Sequence, residues 1–198
     1  MIDTIIFDFG DVFINLDKQA PIDKMKELGL PKWNSDLDEL NIQFEKGLIN
    51  KEAFLNGIQK QIPNASTKEI LKAWNAVLLD FPLYRLEFLQ LLSTKYRLFL
   101  LSNTDAIHIA KFENSTGISF YSDFYQCFEK VYFSFEMGMR KPDFEIYTTV
   151  INNHELVPKH TLFVDDKKEN TDAALAVGLQ VWNLQVGKED VIQLFENK

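Results

Sequence analysis

Residues 4–9 read Thr4-Ile5-Ile6-Phe7-Asp8-Phe9, and Gly10-Asp11-Val12 follow directly. A short β-branched and aromatic run that ends in a carboxylate and a glycine describes a strand buried on both faces that stops at a polar turn. Four later stretches have the same look: Arg97–Leu101 (RLFLL), Val131–Ser134 (VYFS), Thr161–Val164 (TLFV) and Gln180–Asn183 (QVWN) after Gly178. Helical patterns lie between and after them. Pro142 opens one that carries Phe144, Ile146, Tyr147 and Val150; Asn170–Val177 forms another, and Val191, Leu194 and Phe195 mark a last one. Apolar strands alternating with helices predict an α/β core, a doubly wound parallel sheet covered on both faces.

The stretch between the first two strands differs. It holds no strand pattern but a succession of helical faces: Leu37, Leu40 and Phe44 with Ser35 as N-cap, then Phe54, Ile58 and Ile62, then Ile70, Leu71, Trp74, Val77 and Leu78. The chain therefore divides into a core of residues 1–15 and 93–198 and a helical insertion of residues 16–92. Ligands of such sheets bind at the carboxyl ends of the strands. An insertion that leaves from the end of the first strand is placed to cover them as a cap, with residues from Trp33 to Phe44 facing the substrate.

The chain has 198 residues, and 21 Lys and Arg against 29 Asp and Glu give a net charge of -8. This acidity excludes a phosphate-backbone binder, so no nucleic-acid partner is expected. Asp3, Asp8, Asp11 and Asp17 break up the apolar start, no basic leader precedes it, and no apolar run reaches the ~20 residues of a membrane helix. With a single cysteine, Cys127, suited to a reducing compartment, the expected location is the cytoplasm, without a membrane partner.

The residues after each strand carry the chemistry. Asp8, Gly10 and Asp11 follow the first, Ser102-Asn103-Thr104 the second, Arg140-Lys141-Pro142 the third and Asp165-Asp166 the fourth. In a parallel sheet these all meet in one crevice. Clustered carboxylates call for a hard divalent cation with oxygen ligands, such as Mg²⁺. A hydroxyl with the amides of a helix start cradles phosphate, a lysine offsets its charge, and an aspartate held against phosphorus can attack it.

These residues resemble the haloacid dehalogenase-like (HAD) hydrolases, subfamily I with a helical cap on a Rossmann-like core. Ile5 to Val12 is similar to the first family motif and Leu101-Ser102-Asn103-Thr104 to the second. Gly138-Met139-Arg140-Lys141-Pro142-Asp143 is similar to the third, and Phe163-Val164-Asp165-Asp166 with Asn170 to the fourth. The resemblance implies Asp8 as nucleophile and metal ligand, the Gly10 carbonyl as a further ligand, and Asp165 with Asp166 as the remaining Mg²⁺ ligands. It implies phosphate binding by Ser102 and Asn103, and Lys141 bridging nucleophile and phosphate. The implied reaction is hydrolysis of a small phosphomonoester, a sugar phosphate, through an aspartyl-phosphate.

One position departs from the family pattern. Its phosphatases carry a second aspartate, the general acid and base, two residues after the nucleophile; Gly10 stands there. The bacterial α-glucose-1-phosphate phosphatases, which this sequence resembles, also show glycine at that position. General acid–base catalysis contributes roughly 10²–10⁴-fold, so anomeric phosphates should be cleaved better than alkyl phosphates unless Asp11 or a water takes the role. Two other readings stand beside this one: a haloacid dehalogenase, which has no use for Asp165-Asp166, and a binder of phosphorylated metabolites without turnover.

Overall fold

The structure is a computed structural model that describes residues 1–195. Its strands are β1 Thr4–Phe7, β2 Arg97–Ser102, β3 Lys130–Phe133, β4 Thr161–Asp165 and β5 Gln180–Asn183. They form one parallel sheet in the order β3-β2-β1-β4-β5. Alternate residues serve opposite faces, as a buried parallel sheet requires. Ile5, Phe7, Leu98, Leu100, Leu162 and Val164 join one cluster with Leu86, Leu89, Phe112 and Phe124. Ile6, Phe99, Leu101 and Phe163 join the other with Ile146, Tyr147, Val150 and Ala174. The doubly wound core is thus present, with helices on both sides.

Register fixes where the site lies. Phe7 stands beside Leu100 on one side and Val164 on the other, and the Asp8 amide donates the next bond, to the Val164 carbonyl at 2.9 Å. The expected strand reached Phe9, but the chain leaves the sheet after Phe7. The amides of Phe13 and Ile14 both return to the Phe9 carbonyl, and Asp11 takes φ +57° in the turn.

The insertion supplies α1 Ala20–Glu27, α2 Ser35–Glu45, α3 Lys51–Gln59 and α4 Thr67–Trp74. Their starts are capped by polar side chains: Asn34 accepts from the Leu37 amide, Asn50 from Ala53, and Ser66 forms a capping box with Glu69. Ser35, expected as the cap of α2, is instead its first helical residue, because Asn34 is extended and carries the accepting side chain. Met25, Leu37, Phe44, Phe54, Ile58 and Ile70 bury one another in a separate cluster that touches the core through Ile107. The next helix, α5 Leu83–Ser93, falls mostly within residues 16–92, yet it packs Leu86, Leu89 and Leu92 against the sheet.

The core continues with α6 Ala106–Thr116, α7 Ile118–Gln126, α8 Ser134–Met137, α9 Phe144–Asn153 and α10 Lys168–Ala176. The last expected helix is a single 3₁₀ turn, Val191–Gln193. Asp190 caps that turn and is tied down by Arg85 and Tyr84. No described helix is long and apolar enough to cross a membrane.

Candidate active site

Asp8, just past β1, lies 2.9 Å from the ammonium of Lys141, a side chain with 0% exposure. Lys141 Nζ also donates to the Leu101 carbonyl at 2.8 Å and to Asp165 Oδ2 at 2.7 Å. Three acceptors match its three donors, so a cation fully withdrawn from water is paired on every side. Burial, helped by the neighbouring Asp165 and Asp166, outweighs the lowering by Lys141 and leaves the Asp8 carboxyl raised to about 6. Asn103 holds the loop that delivers the lysine: its Oδ1 accepts from the Lys141 amide and its Nδ2 donates to the Lys141 carbonyl, each at 2.8 Å.

Asp8, Asp165 and Asp166 offer oxygens within 4.8 Å of one another. Their environments divide the labour. Both Asp165 oxygens already accept, one from the Lys167 amide and both from the Asn170 amide, besides Lys141. The Asp166 carboxylate accepts, among the described residues, only from Lys18, and the cavity reaches it. Asn170 is 2% exposed and lines the cavity, and its Oδ1 accepts from no described residue. An all-oxygen set of Asp8, Asp166, Asn170 Oδ1 and the Gly10 carbonyl suits a hard divalent cation, with Asp165 as the buttress behind it.

Above this floor is a cavity of about 310 Å³. Ser102, Asn103 and Lys141 border it below; Pro21, Ile22, Trp33, Trp74, Val77 and Leu78 form an apolar wall from the insertion. Trp33 stacks on Trp74 with centroids 5.9 Å apart, and Trp74 stacks on His108 at 5.1 Å. His108 Nδ1 lies 3.0 Å from Asp105, and its Nε2 lies 3.2 Å from the Trp74 carbonyl. Burial opposes an imidazolium there, but Asp105 outweighs it and holds the His108 pKa above its ordinary value. The Trp74 indole N–H donates to Asp105 at 3.1 Å, so α4 and α6 are joined across the cavity's side.

Comparison with known proteins fits this geometry. The sequence profile of the haloacid dehalogenase-like hydrolases matches residues 5–184. The chain belongs to that family. A HAD family enzyme of Bacteroides thetaiotaomicron, solved with magnesium and inorganic phosphate, is 36% identical to this hydrolase, with TM-score 0.87 over 98% of this chain and 100% of that one. A predicted HAD-like hydrolase from Porphyromonas gingivalis is 27% identical, with TM-score 0.81 over 96% and 94% of the two chains. The D-ribitol-5-phosphate phosphatase of B. thetaiotaomicron is 26% identical over 96% of this chain and 95% of its own. A phosphatase and magnesium-bound hydrolases thus stand among the proteins that this hydrolase resembles.

The structure brings Asp8, Gly10, Ser102, Asn103, Lys141 and Asp166 together on the cavity, with Asp165 behind them. Asp11 is elsewhere: its carboxylate accepts from the Leu16 amide, pairs with Lys18 at 2.7 Å, and is not among the cavity's lining. The amides at the start of α6, expected to cradle phosphate, are partly taken, because Asp105 accepts from both Ile107 and His108. Lys141 and Asn103 are held by protein partners, which leaves Ser102 and Thr104 as lining hydroxyls below. Sequence reasoning missed Lys18, whose ammonium bridges Asp11 and Asp166 at 2.7 Å each. It also gave no sign of His108; the Asp105-x-x-His108 pattern across the first turn of α6 was the available signal. Cys127 is buried, and burial pushes its thiol up to about 11, far from nucleophilic.

Proposed function

We propose that this hydrolase removes phosphate from a sugar or sugar-alcohol phosphate through an aspartyl-phosphate on Asp8. The observation that carries the reading is the pairing of Asp8 with a fully buried Lys141 at 2.9 Å on the floor of the cavity. Lys141 keeps Asp8 ionised against the desolvation that would protonate it. An Asp8 oxygen attacks phosphorus, and the bond from phosphorus to the leaving oxygen breaks. Water then attacks the same phosphorus, which restores the Asp8 carboxylate and frees inorganic phosphate. Mg²⁺, held by Asp8, Asp166, Asn170 and the Gly10 carbonyl, supplies charge neutralisation for the phosphoryl oxygens.

The protons are the unusual part. A Cβ on Gly10 would meet Leu16 Cδ1 at 2.7 Å, so Leu16 occupies the space a second aspartate would need. The leaving oxygen then takes its proton from water. The D-ribitol-5-phosphate phosphatase among the relatives supports a sugar-alcohol phosphate as substrate class.

Phosphate release from sugar 1-phosphates, sugar 6-phosphates and ribitol 5-phosphate, with and without Mg²⁺, tests the reading alongside Asp8→Asn. Turnover should need Mg²⁺ and fall on the order of 10⁵-fold in the variant. A folded Asp8→Asn protein that still releases phosphate at the wild-type rate overturns it.

A further inference from the structure

Two polar side chains on the wall stand out because they lie one turn apart on one face of α2. Asn41 and Glu45 both line the cavity, and the i, i+4 spacing places them side by side. Asn41 Nδ2 donates to Glu45 Oε1 at 3.4 Å. That contact fixes the amide, since the flipped orientation would set a carbonyl oxygen against a carboxylate. Asn41 Oδ1 is buried and accepts from no described residue. Glu45 is held by Arg140 through Oε2 alone, with Nε at 3.0 Å and Nη2 at 2.8 Å, so its Oε1 keeps accepting capacity.

The other polar groups on this side are already engaged. The Trp33 indole N–H donates to Asp38, that of Trp74 to Asp105, and both His108 nitrogens face acceptors. Lys18, the one cation that the insertion contributes to the lining, is paired with Asp11 and Asp166. The wall therefore presents two acceptor oxygens, with the second N–H of the Asn41 amide as its spare donor and Arg140 balancing the Glu45 charge. Lys167, a lining cation with no described carboxylate partner, comes from the core and not from the wall.

We propose that Asn41 and Glu45 are the specificity residues of the site: they accept hydroxyl protons from an uncharged, hydroxylated leaving group and turn away one that carries a carboxylate. The proposal rests on the phosphatase reading above. A polyol donates to Asn41 Oδ1 and Glu45 Oε1 while its C–H face lies on the apolar wall. A carboxylate in the same place meets the Glu45 carboxylate and the Asn41 carbonyl oxygen, with a single amide N–H to offer it a hydrogen bond, and is disfavoured against a hydroxyl. A site built around hydrogen bonds also rejects an analogue that lacks the hydroxyls, because its own buried groups are then left unpaired.

The experiment compares kcat/KM for three probes, ribitol 5-phosphate, n-pentyl phosphate and 3-phosphoglycerate, with p-nitrophenyl phosphate as a general reporter for the wild type. The wild type should favour ribitol 5-phosphate over both of the other esters. In Asn41→Leu, which keeps the bulk and loses the acceptor, the ratio of ribitol 5-phosphate to n-pentyl phosphate should fall roughly 10-fold. Taking the ratio within one variant cancels any change in the folded fraction. In Glu45→Gln, which removes the charge, 3-phosphoglycerate should gain relative to ribitol 5-phosphate. Unchanged ratios in both variants, or a wild type that takes 3-phosphoglycerate as readily as ribitol 5-phosphate, overturn the proposal while leaving the phosphatase in place. Wild-type protein that releases nothing from any ester, p-nitrophenyl phosphate included, overturns the phosphatase reading and this proposal with it.

Discussion

On the floor of the cavity Lys141 has three protein acceptors within 2.9 Å, whereas on the wall Asn41 Oδ1 accepts from no described residue. Asp165 is likewise saturated by Lys141, Asn170 and the Lys167 amide, while the wall around Asn41 is mostly indole and aliphatic carbon. The floor locks Lys141 and Asp165 in place without a substrate and leaves Asp8, Asp166 and Asn170 Oδ1 for a cation. The wall leaves its few polar atoms for the substrate to satisfy. Changes on the floor should therefore cost both stability and chemistry, and changes on the wall chiefly selectivity.

The largest effect should come from Lys141→Met. Removing one member of a buried charge cluster leaves the others uncompensated, a loss of about 3–5 kcal/mol in stability. It also removes the strongest influence that lowers the Asp8 pKa. With Lys141 present that carboxyl already stands at about 6, and without it the value rises, so turnover should need a higher pH. Denaturant unfolding and the pH dependence of turnover read the two losses separately. A variant of wild-type stability would mean that the floor is not held together by this lysine.

The same contrast explains what the sequence makes legible. The floor residues are polar punctuation at the ends of apolar strands, Asp8 after TIIF and Asp165 closing TLFV, and a parallel sheet must bring those ends together. That these strand ends share one crevice followed from that one rule; the order of the strands did not. The wall has no such rule. Asn41 and Glu45 look like any polar residues on a helix that also buries Leu37 and Phe44, and only the packing of α2 over the core turns them inward. Lys18 was equally silent, a surface-type residue in a loop until the turn at Asp11 and the end of β4 meet around it. Even α5 misled, because its helical pattern is continuous with the insertion while its apolar face belongs to the sheet. Periodicity reports that a face is buried and not what buries it.

Gly10 sits where floor and wall touch, through Leu16. Gly10→Asp alone should cost little stability, since its Cβ would press at 2.7 Å only on Leu16 Cδ1, the end of a half-buried side chain that can turn aside. Pairing it with Leu16→Ala opens the space for a carboxyl beside the leaving oxygen. The double variant should then cleave n-pentyl phosphate roughly 10²-fold faster than the single one, the range expected of a positioned general acid. Equal rates in the two would show that crowding by Leu16 is not what keeps an acid out.

A smaller, pH-dependent effect belongs to the joint between α4 and α6. The His108 pKa is raised in the folded state, because Asp105 outweighs the opposing burial. Its contribution to stability is therefore complete below the unfolded value near 6.5 and is lost as pH rises through the higher folded value. The melting temperature of the wild type should fall across that interval, and His108→Gln should flatten the slope. The same slope in both proteins would place the titrating group elsewhere. Because Trp74 both meets His108 and lines the cavity, KM for ribitol 5-phosphate should rise over the same pH interval.

The smallest effect should be at the rim, where Lys46 pairs with Asp143 at 3.0 Å, two residues beyond Lys141. Its neighbour in sequence, Glu45, is held by Arg140 with side chains 17% and 22% exposed, but the Lys46 and Asp143 side chains are 27% and 54% exposed. Water screens such a pair and long side chains lose freedom in forming it, so Lys46→Ala should change stability by no more than about 1 kcal/mol. The little it contributes should vanish at high salt, where exposed charges no longer sense each other. Urea unfolding of wild type and variant at low and high ionic strength measures both points. A large, salt-insensitive loss would mean that the backbone approach beside it, where Gly47 closes on the Phe135 carbonyl so tightly that a Cβ would have no room, depends on the lysine to hold it. In that case the end of α2 and the loop carrying Lys141 would be one mechanical unit, and the separation between floor and wall would fail at that edge.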